Sequence, residues 1–543
     1  MNMENTFTMV AKTFKGLEPV LRDELLSLEA QNVEMGNRMV SFEGNLELMY
    51  RANLSLRTAL RILKPIEKFT ARDTDELYDI VRDIEWEKYM SADSTFAIDA
   101  TVNSSEFTHS RFVTYRVKDG IVDHFRDLEG DRPSIRVSGY DFLFNVHIDG
   151  ERVTISLDSS GEPLSKRGYR EESTEAPINE VLAAGIIMTT GWRGDSNFID
   201  PMCGSGTFLI EAALIAANIN PGIYRKGFAF EKWPDFDNEL FEELYNDDSA
   251  ERPFDFKIYG GDIDAEAVAV ARKNIKNAQV DDMVEISCRP MADWVDNPEP
   301  GCLVMNPPYG HRLKQEDLTE MFRNIGNCLK RNFPGWNAWI IGPDIEDFDN
   351  IGLKPSMKIP LLNGSLECSL REYVLFDGYY NDFRAKGGTV KGFDDDYRAK
   401  EPKKMRRISE DEWKSETRKF GDHKPKGKPY EKHDNKSADK RDKKPYEKRE
   451  GKPFNKRDGK PFEKREGKPF NKRDGKPFEK REGKPFNKRD GKPFEKRDGK
   501  PFRKPDTGIR EITDNGPKIS RSKETVVNSV YMRSRKSKAQ EED

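Results

Sequence analysis

Cysteine and histidine are both scarce, with 5 Cys and 6 His in 543 residues. The cysteines are Cys203, Cys288, Cys302, Cys328 and Cys368, an odd number with no C-x-x-C pair. Neither a disulfide framework nor a zinc site is expected, and a reducing compartment fits. No apolar run is long enough to span a bilayer. The opening Met1-Asn2-Met3-Glu4 lacks the basic region and apolar stretch of a secretion signal. These absences predict a cytoplasmic protein with no metal and no membrane partner.

Charge is plentiful but uneven. The formal net charge is -5. Residues 401–543 hold 47 Lys and Arg against 28 Asp and Glu, a net of +19, so residues 1–400 carry -24. An acidic body with a basic tail suggests a polyanionic partner reached by the tail. From Gly451 an eight-residue unit recurs, beginning Gly451-Lys452-Pro453-Phe454-Asn455-Lys456-Arg457-Asp458. With one Phe per unit and recurrent Pro and Gly it cannot bury a core, and it is too short and polar for a solenoid. Residues 383–543 are therefore predicted to be a disordered basic tail. Cations recurring with an aromatic suit RNA, by phosphate contact and base stacking.

The body reads as alternating short strands and helices. Over residues 1–157 apolar spacing predicts strands at 7–11, 39–43, 58–69 and 96–102, with helices at 17–28, 45–54, 76–84 and 111–128. Asp149-Gly150 between two alternating runs is a hairpin signal. This is a small α+β domain whose exposed cations, Arg111 and Lys118 among them, could meet phosphates. Residues 158–172 connect it to the rest. There Lys166-Arg167-Gly168-Tyr169-Arg170 interleaves cations with an aromatic. That pattern suits contact with RNA, the edge of a cofactor pocket, or a plain linker.

Residues 173–382 carry the chemistry. The strand Asn197-Phe198-Ile199-Asp200 runs into Pro201-Met202-Cys203-Gly204-Ser205-Gly206-Thr207 and then a helix. Strand, glycine loop and helix open a dinucleotide-type unit. The loop matches neither G-x-G-x-x-G nor G-x-x-x-x-G-K-[ST], so NAD and ATP are not read. A second strand ends in Asp262-Ile263-Asp264, where an acid can bind ribose hydroxyls and Asp264 can cap the next helix. A third leads to Asp293, placed to accept from an amino group. The fourth, Cys302–Met305, stops at Asn306-Pro307-Pro308-Tyr309-Gly310. Prolines end a strand, so Asn306 and Tyr309 fall at its carboxyl end, where ligands bind in open α/β sheets. An amide, free carbonyls and an aromatic face can hold a flat heterocycle by its exocyclic amine. Two last strands around Asn363-Gly364 make the sheet mostly parallel with a terminal hairpin.

The order Asp200 to Thr207, then Asp262-Ile263-Asp264, Asp293 and Asn306 to Gly310, resembles the class I S-adenosylmethionine-dependent methyltransferases. With the small first domain it is similar to the THUMP-containing RNA methyltransferases of the RlmL type. Lys166–Arg170, Phe228–Trp233 and Leu361–Cys368 support the resemblance, which covers about residues 5–380. It implies a ferredoxin-like segment plus THUMP domain before a Rossmann-like methyltransferase domain. It implies S-adenosyl-L-methionine held by Asp200, Pro201, Cys203, Gly204, Gly206, Thr207, Asp262, Ile263 and Asp293. Asn306, Pro307, Pro308 and Tyr309 would grip the base. Lys166, Arg167 and Arg170, with Arg111 and Lys118, are RNA-contact candidates. The implied reaction is methylation of guanine N2 in 23S ribosomal RNA, free or in a pre-50S particle. Two departures stand out: a low-complexity tail replaces the second methyltransferase domain of the long form, and His311 follows Gly310 where many relatives carry an acid. The residues alone leave open adenine N6 or another planar amine, and a ribosome-assembly role with dispensable catalysis.

Overall fold

The computed structural model describes residues 6–173, 177–295, 297–309, 315–376 and 378. Gly310, His311 and the expected tail over 383–543 with its repeats lie outside the described residues.

The first sheet is built from β1 (Phe7–Lys12), β2 (Gln31–Gly36), β3 (Met39–Gly44), β4 (Arg61–Thr70), β5 (Thr95–Asn103), β6 (Ser134–Ile135), β7 (Phe142–Asp149) and β8 (Arg152–Asp158). Its order is β2-β3-β1-β4-β8-β7-β5-β6, with β5 parallel to β6 and β7 and the other pairs antiparallel. Helices α1 (Glu18–Ser27), α2 (Leu46–Ser55), α3 (Thr74–Asp83) and α4 (Ser110–Glu129) lie between these strands in sequence. Their apolar stripes join one core, with Leu21, Met49, Val81 and Phe125 packed among Met9, Phe42 and Phe144. Side-chain caps set two of the starts. Asn45 accepts the Leu48 N–H, and Asp73 accepts those of Asp75 and Glu76.

The second sheet follows α5 (Glu180–Thr189) and comprises β9 (Phe198–Asp200), β10 (Ile258–Asp262), β11 (Val284–Cys288), β12 (Cys302–Met305), β13 (Asn337–Pro343), β14 (Met357–Asn363) and β15 (Leu366–Val374). Helices α6 (Thr207–Ala216), α7 (Asn238–Asn246), α8 (Ala265–Asn277) and α9 (Gln315–Asn332) lie between them in sequence. The order is β11-β10-β9-β12-β13-β15-β14, parallel except for the antiparallel pairs β13-β15 and β15-β14. Cys302 and Val304 pack with α5, α6 and α8, while Leu303 and Met305 pack with α9. Burial on both faces explains why β12 reads as an unbroken apolar run. The Rossmann-like sheet with its terminal hairpin, preceded by an α+β region, is thus borne out. No helix among the described residues is long and apolar enough to cross a membrane.

The two sheets exchange side chains. Phe228, Phe230, Trp233 and Phe241, which follow α6, belong to the first sheet's core, where Phe230 stacks on Tyr50 at 4.5 Å. Leu17, just before α1, belongs to the second sheet's core. The connector is packed as well. Ser159, Ser160, Leu164, Ser165, Arg167 and Tyr169 are buried. Arg225 donates to the carbonyls of Ser160, Glu162, Pro163 and Lys166. A segment so bound is not a loose linker.

Candidate active site

The glycine loop begins where β9 ends. Asp200 is buried and accepts the Met202 N–H at 3.1 Å. Burial, with Asp262 nearby, pushes its carboxyl well above the usual carboxylate range. The loop turns through a Gly206 N–H to Cys203 carbonyl bond of 2.8 Å. Gly204 and Gly206 have φ of 51° and 82°, a left-handed backbone that side chains disfavour. A Cβ on Gly206 would also stand 3.1 Å from that of Ala271. The loop is tied to the next strand tip, because the Gly204 N–H donates to Asp262 Oδ2 at 2.9 Å. Asp262 also accepts the Asp264 N–H at 3.0 Å, and Asp264 caps α8 through the Glu266 N–H.

Beside Asp262, Ile263 is 74 % exposed, an unusual position for an isoleucine. Asp293 is exposed at the end of the short 3₁₀ turn Met291–Asp293. Next to it the buried Trp294 carries the Arg289 guanidinium over its ring at 3.4 Å. Cys203 is buried, and burial together with Asp200 and Asp262 pushes its thiol up. A thiol held protonated is a poor nucleophile. Pro201 and Thr207 are buried at the two ends of the loop. Strand-end glycines in a left-handed backbone, an acid on the second strand tip and an exposed apolar side chain between two acids fit a nucleoside-bearing cofactor.

At the end of β12, Asn306 is half-buried, Pro307 buried, Pro308 exposed and Tyr309 half-buried. Asn306 Oδ1 is buried and has no hydrogen-bond partner among the described residues. An acceptor left in that state costs about 1–3 kcal/mol and calls for an explanation. The place of Asn306 at the carboxyl end of β12 makes this oxygen open to a donor on a ligand, as strand ends of open α/β sheets are. Tyr309 packs between the cores on the two faces of the sheet, and burial raises its phenol well above the usual value. It is a neutral aromatic surface at any ordinary pH.

The basic residues distribute differently from expectation. Arg111 is exposed on α4. Lys118 pairs with Asp119 at 2.5 Å, and the exposed Lys166 with Glu162 at 3.2 Å. Arg167, expected to face RNA, is 2 % exposed and pairs with the fully buried Glu211 of α6 at 3.4 Å. An arginine enclosed by a carboxylate and two carbonyls cannot reach a phosphate. Arg170 also turns inward. It donates to Glu180 Oε1 at 2.7 Å, Ser205 Oγ at 2.9 Å and Thr207 Oγ1 at 2.8 Å. Its contacts brace the glycine loop against the start of α5. Asn274 of α8 was not anticipated. Its amide donates to the Ser205 carbonyl at 3.1 Å from behind the loop. Among the described residues no group of His, Cys, Asp and Glu is arranged to hold a metal ion.

Comparison with known proteins follows the same division. Residues 8–63 match the RlmL ferredoxin-like domain, 71–158 the THUMP domain and 167–372 the RMKL-like methyltransferase domain. The ribosomal RNA large subunit methyltransferase K/L of Syntrophotalea carbinolica is 39% identical over 385 residues, covering 68% of this chain and 54% of that protein. The chain thus spans about half the length of such curated relatives. A Synechocystis protein named "Putative RNA methyltransferase slr0064" is 36% identical over 67% of this chain and 96% of its own length. The crystal structure of SMU.472 complexed with SAH superposes with a TM-score of 0.62 at 32% identity, over 69% of this chain and all of that one. The structure named a predicted N6-adenine-specific DNA methylase from Listeria monocytogenes gives 0.61 at 32% identity, over 68% and 97%.

Proposed function

The chain belongs to the THUMP-containing RMKL-like methyltransferases, and from that premise we propose that it methylates the exocyclic N2 of a guanine in large-subunit ribosomal RNA. S-adenosyl-L-methionine is the cofactor of this family, and when bound it supplies a methyl group made electrophilic by its sulfonium. The observation that carries the reading is the orphan oxygen of Asn306.

The chain's own part is to hold and aim. Gly204 and Gly206 let the backbone approach the cofactor, Asp262 would take its ribose hydroxyls, and Ile263 and Asp293 its base. Asn306 Oδ1 and the Pro307 carbonyl would accept the two amine hydrogens of the target. The exocyclic nitrogen of guanine is a poor nucleophile because its lone pair is delocalised into the ring. Two acceptors on its hydrogens favour rehybridisation as positive charge develops, and fix the line of attack. Tyr309 would stack on the base, which must be unpaired or flipped to reach it. No covalent enzyme intermediate is required, consistent with the protonated Cys203.

The THUMP domain supports an RNA substrate, and the relatives' names support ribosomal RNA. On this reading the protein works in the cytoplasm, on free 23S RNA or on a pre-50S particle. Residues 1–157, 173–382 and 383–543 divide the labour into docking, catalysis and a tail that adds non-specific RNA affinity. A second reading is favoured by the name of the Listeria structure, since the same loop can hold the N6 amine of adenine. Nucleoside mass spectrometry of ribosomal RNA treated with the protein and labelled cofactor separates them. Label in N2-methylguanosine is expected. Label in N6-methyladenosine overturns the guanine assignment and keeps the reaction class.

A further inference from the structure

The parallel strands of the second sheet end on the edge where Asn306 and Tyr309 stand. In the final hairpin β14 runs with them and β15 runs against them. Because β15 is antiparallel to β13, its beginning lies at the carboxyl end of β13, with Cys368 opposite Pro343. The turn that joins β14 to β15 therefore projects beyond the reactive edge. Asn363 closes β14 opposite Leu366, and Gly364 has a left-handed φ of 64° with open space where a Cβ would be. From this turn the Asn363 side-chain amide donates to the Tyr309 hydroxyl at 2.9 Å, across 54 residues of sequence. The buried Cys368 places its sulfur 3.9 Å from the same oxygen.

We propose that Asn363 is a positioning residue for the base site, and that the terminal hairpin fixes the orientation of the Tyr309 ring before substrate arrives. The inference rests on the reading above, in which Tyr309 stacks on the target base. A tyrosine ring rotates about two single bonds. Packing restrains it at the edges, and a hydrogen bond at the far end of the ring removes the remaining swing. A fixed ring presents one plane to the incoming base. It thereby sets the height of the exocyclic amine against Asn306, because a stacked base lies in a plane parallel to its partner ring at van der Waals spacing. Small misplacements of this kind slow a reaction that depends on alignment. On this account the phenol oxygen matters even though it touches no substrate atom. A ring that only supplies stacking surface would be indifferent to its loss.

The test is a double-mutant cycle on the full chain, with single-turnover methyl transfer to ribosomal RNA as the readout. Tyr309→Phe removes the bond while keeping the ring and leaving the hairpin turn untouched. Asn363→Ala removes it from the other side, and Asn363→Asp replaces it with a bond of reversed direction, the phenol donating to the carboxylate. Each loss variant is expected to slow methyl transfer about tenfold. The double variant should be no slower than either single one. Asn363→Asp should recover most of the rate, and affinity for S-adenosylhomocysteine should stay unchanged throughout. Wild-type rates in Tyr309→Phe, or additive losses in the double variant, overturn the inference. If Asn306→Ala is still inactive in that case, the base-site reading stands and only the positioning role fails. If Asn306→Ala transfers methyl as fast as the wild type, or no RNA is labelled, the reading fails and takes the inference with it.

Discussion

Leu17 reaches out of the first sheet's region and seats its side chain against Gly185 of α5. A Cβ on Gly185 would stand 2.4 Å from Leu17 Cδ1 and 3.1 Å from its Cγ. Leu17 is fully buried, so its side chain has nowhere to retreat. The glycine leaves room for the leucine, and the pair packs the first-sheet half against the second-sheet half.

Filling that space should be costly. Gly185→Val is expected to destabilise the chain by about 1–3 kcal/mol through overpacking. Leu17→Ala in the same background should recover part of the loss, since the added methyl groups then have room. Denaturant unfolding of the two variants measures both effects, and equal stability of Gly185→Val and the parent would refute the contact.

Arg170 ties three points of the glycine loop and its flank with short hydrogen bonds. Arg170→Ala leaves Glu180, Ser205 and Thr207 without that donor. Loss of charged hydrogen bonds of this sort is worth about 1.5–3 kcal/mol. Affinity for S-adenosylhomocysteine, measured by calorimetry, should fall between about tenfold and a hundredfold, while RNA affinity is retained. A selective loss of RNA affinity would instead return Arg170 to the RNA surface that its sequence context suggested.

Glu67 gives stability a pH dependence. It lies on β4 where the register with β8 slips, and burial raises its pKa from 4.5 to about 7, with Lys88 opposing and Glu85 adding. The folded state therefore holds its proton more tightly than the unfolded chain. The stability this contributes is complete below about pH 4.5 and is lost as pH rises to about 7. Glu67 is partly exposed, so solvent screening leaves roughly 1 kcal/mol of the effect. Glu67→Gln should remove that slope, so that the difference in melting free energy between variant and parent grows from pH 4.5 to 7 and then levels off. A constant difference across this range would contradict the assignment.

Much of this was legible in the sequence because local chemistry and global fold agree there. The apolar run Cys302–Met305 is buried on both faces, Asp264 caps α8, and the Asn363-Gly364 turn joins two paired strands. The strand Gln31–Gly36 was missed because it is an edge strand with half its residues polar and little buried to mark its period. Helix α9 was also missed, although Leu318, Phe322, Ile325 and Leu329 fall on one buried face at helical spacing. The run Phe228–Trp233 looked significant without a location, and its aromatics turn out to clasp the other half of the molecule. Arg167 illustrates the limit of reading charge by composition. Nothing local distinguishes a cation that faces a phosphate from one that meets Glu211 in the interior, since the partner lies 44 residues away. That no described residue satisfies Asn306 Oδ1 is equally invisible in sequence, because it depends on which residues the fold brings near it.

The central claim is that this oxygen waits for the amine of the target base. Single-turnover methyl transfer by Asn306→Ala tests it most directly, with S-adenosylhomocysteine affinity measured on the same preparation. The account predicts a fall of about a hundredfold to a thousandfold in the rate of transfer, the range typical of losing one preorganised transition-state contact, with cofactor affinity unchanged. Transfer at the wild-type rate, with cofactor bound as tightly, would contradict it.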